Sequence, residues 1–212
     1  MSDAQPITSQ TPKAVVFDVG NVLFHWDLRA LFEKVITDSD RLEHFLGEVL
    51  TFEFHSRHDE GEGLDVLTAE LLAKHPEYAA EAQAYVTRFN ETIIGPVEGM
   101  HELAIDLAER GIPVFGLTNF GSTFWQGFRP VAPIFDLFSD IVVSGDEKCA
   151  KPEAAIYEIC EQRFGMGGSD LFFIDDRQEN IDAALARGWA GHLFTHAAPL
   201  KDQMRQLGLI AA

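Results

Sequence analysis

The chain has 212 residues, enough for one large domain or for a core domain carrying a smaller insert. Its 46% hydrophobic and 24% charged residues are ordinary globular usage, with no low-complexity tract to argue for disorder. Sixteen basic against 34 acidic residues give a net charge of -18, which argues against nucleic acid and anionic membrane surfaces as partners, because both demand basic patches.

An anionic substrate would need local positive charge to hold it. Two cysteines, Cys149 and Cys160, are too few for a disulfide framework. They are expected as reduced thiols, in keeping with a cytoplasmic protein. No segment is long and apolar enough to span a bilayer, and residues 1–12, polar and without an apolar signal region, are expected to form a flexible tail.

In chain order, Ala14-Val15-Val16-Phe17 reads as a buried strand that stops at Asp18, with a Gly20-Asn21 turn behind it. Asp27 can then cap a helix whose Leu28, Leu31, Phe32, Val35 and Ile36 share one face. Leu42, Phe45, Leu46, Val49 and Leu50 repeat that spacing, and weaker versions follow over 64–72 and 78–89. Successive amphipathic helices with short connections favour a small bundle. From Gly95-Pro96 onward helices alternate with strands. A helix from Met100 ends at Gly111, a strand from Pro113 to Leu117 ends at Thr118-Asn119, and a short strand covers Ile141 to Val143. Pro152 suits the first turn of a helix with Ile156, Ile159, Cys160 and Phe164 inward. The strand Leu171 to Ile174 ends in Asp175-Asp176, a helix follows to Gly188, and His192 to Phe194 reads as a last strand. The expected fold class is α/β: a Rossmann-like open parallel sheet with a helical bundle inserted after its first strand.

Three strand ends carry polar residues: Asp18, Thr118-Asn119 and Asp175-Asp176. The carboxyl ends of parallel strands share one edge, where ligands bind, so these groups can converge. Each alone is equally well read as a turn residue or a helix cap. Neighbouring carboxylates repel unless a cation offsets them, and Mg2+ suits a few carboxylates, waters and a substrate phosphate. Lys148 and Lys151, in "GDEKCAKPEAAIY", are candidate phosphate-binding cations or plain surface lysines.

Asp18 in "FDVGNVL", Thr118 in "GLTNF", Lys151 in "KPEAAIY" and Asp175-Asp176 in "FFIDDRQENIDAA" resemble, in order and spacing, the four motifs of the haloacid dehalogenase (HAD) superfamily. The resemblance covers nearly the whole chain after residue 13. It is nearest to phosphatases of the α-D-glucose-1-phosphate phosphatase type. It implies a core of residues 13–23 and 95–212 and a helical cap of residues 24–94. It also implies Asp18 as the nucleophile of an aspartyl-phosphate, and Mg2+ held by Asp18, the Gly20 carbonyl and Asp176, with Asp175 close by. Thr118 and Lys151 would hold phosphoryl oxygens, helped by Asn119 and by the backbone N–H groups of the turn through Gly20 and Asn21.

Most phosphatases of this superfamily have an aspartate where Gly20 stands, to protonate the leaving group. Water, a leaving group of low pKa or His25 are the candidate substitutes. The glucose-1-phosphate phosphatases resembled also carry glycine there. The expected function is therefore a Mg2+-dependent phosphatase acting on a small phosphorylated metabolite such as a sugar phosphate, as a monomer or homodimer. The alternatives are a 2-haloacid dehalogenase using the same aspartate, a phosphomutase and a non-catalytic binding protein. Specificity is expected from the cap segment "FEFHSRHDEGEG", read as a loop with His55, Arg57 and His58 at the mouth of the site. Cap opening is expected about hinges near Leu23 to Trp26 and Gly95-Pro96.

Overall fold

A computed structural model describes residues 11–211; residues 1–10, and with them most of the expected tail, lie outside the described part. The core is a five-stranded parallel sheet of β1 (Ala14–Phe17), β4 (Val114–Thr118), β5 (Asp140–Val143), β6 (Leu171–Asp175) and β7 (Ala190–Leu193), in the order β5-β4-β1-β6-β7. A separate antiparallel ribbon pairs β2 (Phe24–Trp26) with β3 (Ile93–Pro96). Between the two ribbon strands lie α1 (Arg29–Phe32), α2 (Ser39–His44), α3 (Phe52–Asp59), α4 (Leu64–Lys74) and α5 (Ala79–Arg88). Around the sheet follow α6 (Met100–Glu109), α7 (Ser122–Phe128), α8 (Ser144–Glu147), α9 (Ala154–Phe164), α10 (Gln178–Ala186) and α11 (Ala197–Gln206).

Strand alternation explains the two faces. Val15, Phe17, Val114, Phe172 and Ile174 join one apolar cluster, continuous with the helices between β2 and β3. Ala14, Val16, Phe115, Leu117 and Phe173 join a second with Ile156, Cys160 and Trp189. Both faces of β1 are therefore buried, which is why it reads as an uninterrupted apolar run. The helix α6 stops where expected: Gly111 takes φ +74°, and the N–H groups of Gly111 and Ile112 donate to the carbonyls of Ala108 and Leu107.

Several local expectations are corrected. The helix expected over Leu28 to Ile36 is regular only over Arg29–Phe32 and continues as loose turns to Ile36. The next one begins at Ser39, capped by the Asp38 carboxylate on the Arg41 N–H, and widens into a π turn over Phe45–Val49. The segment read as a loop, 52–63, is for the most part helix α3, because the Thr51 hydroxyl caps it by accepting from Phe54 N–H at 3.1 Å. Pro152 lies before its helix, which starts at Ala154 after an N-cap at Glu153. The last strand starts two residues and ends one residue earlier than expected, paired Phe172 to Ala190 and Asp175 to Leu193. Beyond it α11 buries Leu200 and Met204, one helical turn apart.

Candidate active site

The carboxyl ends of β1, β4 and β6 do meet. Phe17 pairs with Ile174 and the Asp18 N–H donates to the Ile174 carbonyl at 2.9 Å, so the chain leaves β1 directly beside Asp175. Oxygens of Asp18, Asp175 and Asp176 all lie within 4.8 Å of one another. Lys151 reaches this cluster from the loop after α8. Its ammonium lies 2.8 Å from Asp18 Oδ1 and 2.7 Å from Asp175 Oδ2, and it donates to the Leu117 carbonyl at 3.0 Å. Its three N–H donors are thus all engaged, and its side chain is 1% exposed. Lys148, the other candidate cation, is exposed and does not face the cleft.

These contacts fix the charge state. Burial pushes the Asp18 carboxyl up and the Lys151 ammonium only partly opposes it, leaving its pKa at about 7. Asp176 is also raised, by burial first and then by Asp175. Lys151 stays charged: burial works against it, but Asp175 and Asp18 outweigh burial and raise its pKa. Three carboxylates therefore face one cation, and oxygen ligands at this spacing with a deficit of positive charge fit a hard divalent ion.

Neighbouring groups are already committed. Asp18 Oδ1 also accepts from the Val19 N–H at 2.7 Å, whereas no hydrogen bond to Oδ2 is made among the described residues. Asp175 Oδ1 accepts from the Arg177 N–H at 2.8 Å and from Asn180 Nδ2 at 2.9 Å. The Asn119 amide bonds both the N–H and the carbonyl of Lys151, at 2.9 and 3.0 Å. Asn119 thus faces the cleft while its side chain positions the lysine loop. Thr118 is buried at the end of β4. In the turn after Asp18, the Asn21 N–H donates to the Phe24 carbonyl at 2.7 Å. Among the described residues the Gly20 N–H makes no such bond, so Gly20 rather than Asn21 keeps the free donor of that turn. The Asn21 side-chain oxygen accepts from the Trp26 N–H at 3.2 Å.

Above the strand ends is a cleft of about 320 Å3 that Asp18, Gly20, Asn21, Asn119, Lys151 and Asp176 all face. His55 faces it too. Its ring stacks on Trp26, with centroids 5.2 Å apart, and Nδ1 contacts the Tyr85 hydroxyl at 2.7 Å. Burial lowers its pKa to about 4, so it is neutral at pH 7. The other two cap candidates are placed elsewhere. His58 is packed against Phe124, with Nδ1 on the Glu62 carbonyl at 2.8 Å; a Cβ on Gly121 would fall 2.0 Å from its ring. Arg57 lies on a different groove with Glu70 and Lys74, clamped by Glu62 and Glu70 at 2.7 Å each. On a helix only one face meets the cleft, and Arg57 is on another. His25 is exposed because strand alternation gives the cleft side of β2 to Phe24 and Trp26.

Sequence reasoning missed several cleft residues. Asp59, on α3, is buried and raised to about 7 by desolvation, 3.5 Å from His55 Nε2. Arg177 stands at the mouth, 5.4 Å from the centre of the Phe52 ring. It directly follows Asp175-Asp176, so position in the fourth motif was its signal. The aromatic lining had a fainter one, the spacing of Phe24 and Trp26 by two and of Phe120 and Phe128 by eight.

The profile of haloacid dehalogenase-like hydrolases matches residues 12–188. A sesquiterpene phosphatase of Aspergillus oryzae is 26% identical over 197 residues, 93% of this chain and 97% of that protein. A phosphoglycolate phosphatase of Pectobacterium atrosepticum is 28% identical over 137 residues, 60% of this chain and 58% of that protein. A HAD family enzyme of Bacteroides thetaiotaomicron, solved as the wild-type complex with magnesium and inorganic phosphate, has a TM-score of 0.67 at 21% identity, covering 92% of this chain and 100% of that one. At that identity the likeness concerns the fold.

Proposed function

This chain belongs to the haloacid dehalogenase-like hydrolase family, and on that premise we propose that it is a Mg2+-dependent phosphatase that hydrolyses a small phosphorylated metabolite through an aspartyl-phosphate on Asp18. The observation that carries this reading is the arrangement of Asp18 itself: Oδ1 is held by Lys151 and the Val19 N–H, Oδ2 is left for attack, and two further carboxylates crowd the same edge. Both relatives named above are phosphatases, of a sesquiterpene and of phosphoglycolate; they share the phosphate and differ in the group it leaves.

In this reading Oδ2 attacks phosphorus, the bond from phosphorus to the ester oxygen breaks, and that oxygen keeps the electron pair and takes up a proton. Water then attacks the aspartyl-phosphate, releasing phosphate and restoring Asp18. Asp18, Asp176 and the Gly20 carbonyl are the proposed Mg2+ ligands, with Asp175 behind them orienting Lys151. Bound Mg2+ supplies positive charge to the phosphoryl oxygens. Lys151 adds charge from beneath, and the Gly20 N–H is a free donor beside it. Gly20 gives no proton, although a Cβ there would meet nothing within 4 Å, so room is not what keeps the position a glycine. Of the groups facing the cleft, Asp59, with a pKa near 7, is the one suited to protonate the leaving oxygen. Residues 24–94 would act as the cap, and 13–23 with 95–212 as the core.

The test is Asp18→Asn with p-nitrophenyl phosphate and Mg2+, where the rate should fall at least about 10³-fold. Chelation should stop the wild-type enzyme and added Mg2+ restore it. Equal rates for the two proteins would sink the proposal. Chloride release from 2-chloropropionate that survives chelation would install the dehalogenase in its place.

A further inference from the structure

The strand-end floor of the cleft and its upper wall are chemically unlike. The floor holds Asp18, Asp175, Asp176 and Lys151. The upper wall, apart from Ser56, Asp59 and Glu60, is a belt of rings. Trp26 stacks on His55, His55 stacks on Phe89 at 5.7 Å, Phe89 meets Phe120 edge-on at 5.8 Å, Phe120 stacks with Phe128 at 5.9 Å, and Phe128 meets Phe24 edge-on at 5.1 Å. All six rings face the cleft. They come from β2, α3, the turn after α5, the segment after β4 and the end of α7, so the belt is assembled by the fold and not by one motif.

The polar atoms of His55 and Ser56 beside this belt are occupied, which leaves Asp59 to serve the ester oxygen. His55 is neutral, with Nδ1 on the Tyr85 hydroxyl and Nε2 towards Asp59. The Ser56 hydroxyl donates to the Phe52 carbonyl at 2.8 Å. A polyol leaving group enclosed here would lose water from several hydroxyls and find few free partners, whereas a hydrocarbon or aromatic group would gain contact on all sides. At about 320 Å3 the cleft is at the small end of ligand sites, about 300–1,000 Å3, so it suits one compact group.

Resting on the phosphatase reading, we propose that the substrate is a phosphate monoester of an apolar alcohol, its phosphate on the Asp18 floor and its hydrocarbon or aromatic part within the belt from Trp26 to Phe24. Phe52, 54% exposed at the mouth beside Trp26, extends the belt towards solvent. The sugar phosphate expected from sequence is the competing substrate class.

The experiment compares primary alkyl phosphates of both kinds under saturating Mg2+: hexyl, benzyl and 2-naphthylmethyl phosphate against glycerol 3-phosphate and glucose 6-phosphate. Acetyl phosphate serves as a small activated substrate that asks only for the floor. The apolar esters should exceed the polar ones in kcat/KM by at least about 10²-fold, since one methylene in an apolar pocket is worth about 10–200-fold. Trp26→Ala and Phe52→Ala should each cost naphthylmethyl phosphate more than acetyl phosphate, chiefly in KM. Phe52, being exposed, can be truncated without threatening the fold. Turnover of acetyl phosphate with the polar esters equal or better would overturn the substrate class and leave the phosphatase standing. No turnover of any ester or of acetyl phosphate would overturn both.

Discussion

Lys151 and Arg57 are each clamped between two carboxylates, and their surroundings make them different objects. Lys151 sits between Asp18 and Asp175 with a side chain 1% exposed. Arg57 sits between Glu62 and Glu70 with a side chain 34% exposed. At the exposed clamp the partners behave as simple ion pairs: Arg57, helped by Lys74, lowers Glu70 to about 2, and Glu62 is lowered as well. At the buried clamp desolvation outweighs the partner, and Asp18 is raised to about 7 although Lys151 is in direct contact. Water makes the first pair easy to form and of little value, whereas its absence makes the second costly and sensitive to every added charge.

The largest expected effect follows from removing the buried cation. Lys151→Met leaves Asp18 and Asp175 facing each other without a counter-charge, and unfolding in urea at pH 8 should show a loss of about 3–5 kcal/mol. Turnover should fall by at least about 10²-fold. Without the ammonium the Asp18 carboxyl, already raised by burial, rises further, so the folded state holds a proton that the unfolded chain has lost. Its stability therefore falls as pH rises, and lowering the pH from 8 to 5.5 should recover part of the deficit. A Lys151→Met protein as stable as wild type at pH 8 would show that burial is not what separates the two clamps.

Burial is also what divides the legible from the illegible in this sequence. The end of β1 at Asp18 and the acidic pair after β6 could be read because strands buried on both faces appear as continuous apolar runs, and the first polar residue marks the sheet edge. What each group does at that edge could not be read. That Asn119 spends its amide on the Lys151 backbone, and Asp175 its oxygens on Lys151, Arg177 and Asn180, depends on contacts between segments far apart in the chain. The helix α3 was missed for a related reason. Its inward residues include His55, His58 and Asp59, and a period counted on apolar residues alone does not register them. Thr51 before it was a usable capping signal.

Asp59 sharpens the contrast as a buried carboxylate on which desolvation outweighs the neighbouring His58 and a backbone hydrogen bond from Gly121, while His55 beside it is neutral at pH 7. Its pKa is about 7 against an ordinary 3.8. Between those values the folded protein binds a proton that the unfolded chain has released, so stability declines as pH rises from about 4 and the full loss is present above about 7. Asp59→Asn removes that loss. It should be more stable than wild type at pH 8, on the order of 2–4 kcal/mol, and the two should converge by pH 4. If Asp59 also protonates the leaving group, the same variant should lose rate on alkyl phosphates more than on acetyl phosphate. Parallel stability profiles for the two proteins would place Asp59 in a wetter setting than its burial implies.

The smallest effect is expected at the exposed clamp. Arg57 attracts notice in the sequence as a basic residue between two histidines, and the sequence places it among the expected specificity residues at the mouth of the site. In the folded chain it lies on a separate groove with Glu48, Glu53 and Lys74, while His55 and Asp59 of the same helix face the cleft. Arg57→Ala should therefore leave the order of kcat/KM across the ester panel as it is. Because solvent already screens both pairs, Tm should fall by no more than about 2 °C. Raising the salt from 0.05 to 0.5 M, about a threefold shortening of the Debye length, should narrow even that difference. A changed substrate order would mean that α3 turns when substrate binds, bringing Arg57 to the mouth; the exposed clamp would then be the latch that holds it away.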